Sequence, residues 1–322
     1  NACVFGFGVL VIRPMATFGT LVAMADYSTR FWRPIINLAN LYNNLINTIA
    51  YLERIFETID EPVLIEDAPD AKELPPIRGD VEFKDVVFEY EPGHPVLNHM
   101  NFHVKAGQSV ALVGPTGAGK TTVINLISRF YDLTSGAVLI DGQDISKVTL
   151  HSLRSQMGVM LQDSFVFSGN VIDNIRYGKL DATYEEVVAA AKTVKADEFI
   201  REMENGYETE INERGSRLSQ GQKQLISFAR TLIADPKILI LDEATSSIDT
   251  KTERLMQQGL NELLKGRTSF IIAHRLSTIQ NCDVIMYVDD GVIQERGTHE
   301  ELMALKGRYY ELCMAQREEA AG

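Results

Sequence analysis

Apolar positions cluster in distinct ways along this chain. Residues 2–12 are apolar and uncharged until Arg13-Pro14 interrupts them. The run is too short to cross a bilayer, which takes about 20 residues, and it fits the tail of a membrane helix whose start lies upstream. A second segment begins near Thr17 and is less apolar, with Asp26, Arg30 and Arg33 inside it. From Leu38 the apolar residues recur at helical spacing, through Leu41, Leu45, Ile49, Leu52, Phe56 and Ile59. Asn37, Asn40, Asn44 and Asn47 fall mostly on another face. Such a helix can line a watery cavity or join a soluble bundle, and the pattern supports either. Charges within a membrane span usually face a cavity or a partner, so Asp26, Arg30 and Arg33 suit a pore-lining helix better than a lipid-facing one. The helix is predicted to end near Asp60.

Beyond it the pattern changes. Residues 61–79, including Glu61-Pro62 and the stretch EDAPDAKELPPIRGD, read as an acidic, proline-rich linker acting as a spacer. After Asp80 come short β-type runs: VEFKDVVFEY, HPVLNHMNFHV and SVALVG. Strands and helices then alternate, as an α/β domain requires. AVLIDG reads as a strand ending in an Asp-Gly turn, and the stretch from Ser164 to about Arg230 as mostly helical. KILILDEA and TSFIIAH are unbroken apolar runs of the kind that form strands buried on both faces. The organisation is a helical segment over 1–60, a linker over 61–79 and an α/β domain over 80–322, without internal repeats.

Composition narrows the function classes. The 322 residues carry 45% hydrophobic and 23% charged residues, ordinary for a folded protein, but a formal net charge of −13. Nucleic-acid binding depends on Lys and Arg neutralising phosphates, so a nucleic-acid partner is not expected. Cys3, Cys282 and Cys313 are too few and too scattered for a disulfide framework or a zinc site. The chain opens at Asn1 inside an apolar run, without the basic start or cleavage site of a signal peptide. It reads as the C-terminal part of a longer protein.

The candidate chemistry lies in the α/β region. Gly114-Pro-Thr116-Gly117-Ala118-Gly119-Lys120-Thr121 fits the phosphate-loop pattern G-x-x-x-x-G-K-[ST], between the strand SVALV and the helical run TTVINLISRF that begins at Thr121-Thr122. The glycines let backbone N–H groups curl around a phosphate, and the helix N-terminus adds its positive end. Lys120 reaches toward the β- and γ-phosphates, and Thr121 offers a hydroxyl to Mg²⁺. ILILDE is the second half: an apolar strand delivers Asp242 to the Mg²⁺ region, and Glu243 beside it can polarise a water. These motifs together specify a P-loop NTPase that uses a nucleoside triphosphate and Mg²⁺.

Further motifs, in order, resemble those of the ABC ATPases. Leu218-Ser219-Gln220-Gly221-Gln222 resembles the LSGGQ signature, with Gln220 in place of a Gly. By itself a Ser-Gln-Gly turn before a helix is a cap; its distance ahead of ILILDE is what makes it specific. Gln162 resembles the Q-loop glutamine, His274 the switch histidine, Asp249 the D-loop aspartate and Tyr90 the aromatic that stacks on adenine. Each also has a plain structural reading: a Gln or His after a strand, or a strand-end tyrosine. Thr209-Glu-Ile-Asn212-Glu213-Arg-Gly215 resembles the exporter x-loop, with Asn212 in place of a Gly. The N-terminal T-x-G-x-L-V-A, Pro34 and the long helix ending ERIFE resemble the last transmembrane helix of a multidrug-type ABC exporter.

This resemblance covers nearly the whole chain. It implies an α/β P-loop ATPase domain with an antiparallel β subdomain and a helical subdomain, preceded by an all-α transmembrane segment. It implies catalytic roles for Lys120, Gln162, Glu243 and His274, and Mg²⁺ ligation by Thr121, Gln162 and Asp242. Nucleotide contacts would come from Tyr90, Gly114, Thr116, Gly117, Ala118, Gly119, Lys120, Thr121, Thr122 and Asp242. Ser219 and Gly221 would act on the opposite subunit's ATP in a head-to-tail dimer with a second half-transporter, Asp249 would contact that subunit, and Gln222 and Asp249 would join the nucleotide-binding set. The full-length protein would be a multi-pass membrane exporter with its ATPase domain in the cytoplasm. The competing readings are a truncated or regulatory domain that binds ATP without transport, a soluble non-transport ABC ATPase, and an importer subunit.

Overall fold

The computed structural model describes residues 17–160, 165–212, 215, 218–242, 250–273 and 276–321. The chain divides into two compact units between Leu64 and Ile65.

The described part of the first unit is dominated by one helix, Phe18–Ile59, with Asp60 as its C-cap, matching the end expected from the periodicity. Thr17 caps its start by accepting a hydrogen bond from the Thr20 amide. At 1.5 Å per residue its 42 residues extend about 63 Å. Pro34 lies inside it, and no side chain of the helix is buried. Asp26 and Arg30, one turn apart, form an ion pair of 2.8 Å. Among the described residues, no helix is long and apolar enough to cross a membrane. The amides and charges noted above are what dilute this helix.

The second unit is built on two sheets. The first is antiparallel and contains β1 (Val81–Glu89), β2 (Pro95–Val104), β4 (Ser135–Ile140) and β5 (Gln143–Asp144), in the order β2-β1-β4-β5. The second contains β3 (Ser109–Val113), β6 (Met157–Met160), β9 (Ile238–Asp242), β10 (Thr268–Ile272), β11 (Val284–Asp289) and β12 (Val292–Gly297). Its order is β12-β11-β3-β10-β9-β6, parallel except for the edge strand β12. A short pair, β7 (Gly169–Asn170) and β8 (Glu210–Ile211), lies among the helices.

The apolar runs of the parallel strands follow from burial on both faces. Alternate side chains of β9 divide between two cores: Leu239 and Leu241 join one, Ile238 and Ile240 the other. The first core contains the helical region, including Val171–Arg176, Tyr184–Thr193 and Gln220–Ile233. The second contains the antiparallel sheet and the helix Lys120–Ile127. The Asp-Gly turn expected after AVLI forms at Asp141 and Gly142, both with positive φ, and leads from β4 into β5.

Residues 65–79 differ from a free spacer. Leu74 and Ile77 are buried in the second core. Their amides donate to Ser152 Oγ and Gln156 Oε1, at 2.9 and 2.8 Å. The Leu150 amide donates to Asp67 Oδ1, and Arg129 Nη2 to the Glu66 carbonyl. The segment is a strap laid along the short helix Leu150–Arg154, because prolines and acids separate just two apolar anchors that find a groove there.

Candidate functional site

Ligands of open α/β sheets bind beyond the carboxyl ends of the strands. Here β3, β10 and β9 are neighbours in register, pairing Leu112 with Ile272 and Ile272 with Asp242. Their carboxyl ends therefore place the start of the loop at Gly114, Ile272 and Asp242 along one edge.

The loop and the helix Lys120–Ile127 form a phosphate cradle. Gly114 has φ of 141°, and a Cβ there would lie 2.0 Å from the Val288 carbonyl oxygen, so only glycine fits. The Lys120 ammonium folds back to donate to the Gly114 and Pro115 carbonyls, at 2.9 and 2.7 Å. Burial lowers its pKa from the usual value, and the Asp242 carboxylate works in the opposite direction. A phosphate oxygen arriving here would exchange two neutral acceptors for an anionic one, which a partly desolvated ammonium favours.

An open cavity of about 420 Å³ lies over the cradle, lined by Tyr90, Val96, Thr116, Gly117, Gly119, Lys120, Thr121, Thr122, Asp242 and Ile272. It brings together eight of the predicted positions from three separate parts of the sequence. Ala118, within the loop, is buried and does not line the cavity. Tyr90 stands at the rim, half exposed, with its hydroxyl 3.2 Å from that of buried Thr122.

The signature residues do not line this cavity. Ser219 caps the helix Gln220–Ile233: its Oγ accepts from the Gln222 amide at 3.2 Å, and the Gln222 side chain accepts from the Ser219 amide at 2.9 Å. This reciprocal box leaves the helix start on an exposed surface, while Gly221 is buried. Gln162, Glu213, Glu243, Asp249 and His274 lie outside the described residues.

The family model for ABC transporters matches residues 97–246, which contain both the phosphate loop and Asp242. The chain carries an ABC transporter ATP-binding domain. It is 50% identical over 97% of its length to the ABC transporter ATP-binding protein YfiC of Bacillus subtilis, covering 52% of that protein. It is 47% identical over 96% of its length to a fatty acid ABC transporter ATP-binding/permease protein of Mycobacterium tuberculosis, covering 48% of it. A bacterial Atm1-family ABC exporter solved with ATP bound superposes with a TM-score of 0.76 at 41% identity, over 94% of this chain and 53% of that one. The chain thus spans about half the length of the curated relatives it matches.

In this ABC domain the structure also adds residues that the motifs miss. Val96 and Ile272 line the cavity as strand residues inside ordinary apolar runs. Tyr131 packs at right angles to Tyr90, with ring centroids 5.1 Å apart. Nothing local in the sequence distinguishes these positions, because what selects them is a contact made across the fold.

Proposed function

We propose that this chain binds ATP with Mg²⁺ at the carboxyl edge of its parallel sheet and hydrolyses it, and that the full-length protein uses the cycle to export a substrate across a membrane. The observation that carries the reading is the single cavity shared by Tyr90, the phosphate loop and Asp242. Tyr90 stacks on adenine, the loop amides and helix N-terminus hold the phosphates, and Lys120 turns from its loop carbonyls to the β- and γ-oxygens. Thr121 and Asp242 share the cavity and present the hard oxygen donors that Mg²⁺ accepts, with Gln162 as a further ligand. When bound, Mg²⁺ neutralises phosphate charge. Glu243 receives a proton from water as the water oxygen bonds to the γ-phosphorus and the bond to the bridging oxygen breaks, releasing ADP and phosphate. Gln162 and His274 orient the γ-phosphate and the water.

Ser219, Gly221, Gln222 and Asp249 act on ATP held by a second half-transporter, the same chain or a different one. The placement of Ser219, Gly221 and Gln222 away from the cavity supports this division, since an exposed helix N-terminus can meet a phosphate brought by another subunit. Exporter relatives, and a neighbour solved with ATP, support a membrane location with this domain in the cytoplasm.

The decisive variant is Glu243→Gln. ATP binding is expected to persist while turnover falls about 100-fold or more, the scale of a lost general base. An ATP-dependent dimer should accumulate, seen by size-exclusion chromatography. Turnover at the unmodified rate would remove Glu243 from the role of base.

A further inference from the structure

A stacking platform is useful only if its ring is already held in place. Otherwise the base must immobilise it on arrival, and part of the binding energy goes to ordering. Tyr90 directly follows β1 at an open rim and is half exposed, so burial alone does not hold it. Three contacts do. Buried Phe88 meets it at 88° with centroids 4.8 Å apart, Tyr131 meets it at 89° and 5.1 Å, and its hydroxyl pairs with Thr122. Phe88 and Tyr131 also touch one another, tilted at 54° with centroids 5.6 Å apart. Rings packed at near right angles are favoured because a positive edge meets a negative face. Two such neighbours leave Tyr90 little freedom to rotate.

Tyr131 differs from Phe88 in where it comes from. It follows the phosphate-loop helix Lys120–Ile127, four positions past its end. The chain there is pinned on both sides. Arg129, buried, donates through Nε to Asp132 Oδ1 at 3.0 Å and through Nη1 to the Val148 carbonyl at 3.2 Å. The Phe130 amide donates to the Asn125 carbonyl of the helix, and the Thr134 amide to the Val87 carbonyl of β1. The Glu89 amide in turn donates to Thr134 Oγ1 at 3.3 Å. The phosphate-loop helix and the strand leading to Tyr90 are therefore joined through the segment that carries Tyr131.

We propose that Tyr131 is a positioning residue for nucleotide binding: it holds the Tyr90 ring in the orientation that receives the base, and so ties the base platform to the phosphate loop. This rests on the reading of Tyr90 as the adenine platform, and the test separates the two. ATP affinity is measured in the full chain with Mg²⁺, for the parent, Tyr131→Phe, Tyr131→Leu, Tyr90→Ala and the Tyr90→Ala/Tyr131→Leu pair. Inorganic tripolyphosphate is the second probe, since it needs the phosphate loop and no platform. Tyr131→Leu is expected to weaken ATP about 3- to 10-fold, the worth of one edge-to-face pair. Tripolyphosphate affinity should stay unchanged, and Tyr131→Phe should keep the parent's ATP affinity. On the Tyr90→Ala background Tyr131→Leu should add nothing, because the ring it positions is gone.

Tyr131→Leu without effect, alongside a weakened Tyr90→Ala, overturns the proposal and leaves stacking by Tyr90 intact. An unchanged Tyr90→Ala overturns both. A further loss in the double variant overturns the proposal by showing that Tyr131 acts independently of Tyr90, and loss of tripolyphosphate binding overturns it in favour of a general packing role.

Discussion

At the scale of single residues, the phosphate loop places two glycines under different constraints. Gly114 and Gly117 both have positive φ, at 141° and 84°. Beyond that they diverge. A methyl group at Gly114 would meet the Val288 carbonyl oxygen at 2.0 Å, backbone against backbone, whereas nothing lies within 4 Å of one at Gly117. Gly114→Ala therefore adds a collision that only main-chain movement of β11 or the loop can relieve. It is expected to destabilise the domain by about 3 kcal/mol or more, and Gly117→Ala by only the left-handed backbone penalty of about 1–2 kcal/mol. Urea unfolding of the two variants checks the difference. Equal midpoints would mean that the close approach to Val288 is relieved at little cost. Gly114 is legible in the motif, which leaves position 117 open, but how tightly the fold holds Gly114 is not, since Val288 lies 174 positions away.

At the scale of elements, the helix Gln220–Ile233 has one start that serves two purposes. Its capping box satisfies two amides that would otherwise lack partners, and the proposed function asks the same turn to meet another subunit's phosphate. Ser219→Ala should cost about 1 kcal/mol of stability through the lost cap. Ser219→Asp keeps a capping oxygen and should restore the melting temperature, while its negative charge repels a phosphate and depresses ATP turnover below that of the Ala variant. Parent-like turnover in Ser219→Asp would reduce the turn to a cap. The elements themselves were largely readable. The helix ending at Ile59 follows from its periodic apolar positions, and β9 and β10 from runs buried on two faces. The cradle was readable because its residues are contiguous and their spacing is imposed by phosphate geometry. Tyr131 was not, because the ring it packs against lies 41 positions away, just past the end of β1. The strap was not either: Leu74 and Ile77 show no period, and their hydrogen-bond partners Ser152 and Gln156 are 78 and 79 residues distant.

At the scale of the whole molecule, the strap decides where the second unit begins. A boundary at Asp80 follows from composition, which changes there from prolines and acids to β-type runs. Packing argues for Ile65 instead. Two fully apolar anchors are buried, Lys72 pairs with the Lys147 and Thr149 backbone, and the Gln156 amide donates to the Leu74 and Pro75 carbonyls. Arg129 reaches the Glu66 carbonyl from the end of the phosphate-loop helix, so the strap also braces the cradle. Burying Leu74 and Ile77 is worth about 1.5–3 kcal/mol each, an upper estimate because the unfolded chain is itself partly compact. Removing the strap also uncovers Val148 and Leu153, which are buried beside it. A chain truncated to begin at Asp80 should therefore unfold at lower urea than one beginning at Ile65, by about 3–6 kcal/mol extrapolated to water. It should also bind ATP more weakly, because Arg129 loses one of its anchors. The double substitution Leu74→Ser/Ile77→Ser in the longer chain should reproduce most of the stability loss without changing length. Equal stability of the two truncated chains would return residues 65–79 to the role of a spacer and place the start of the folding unit at β1.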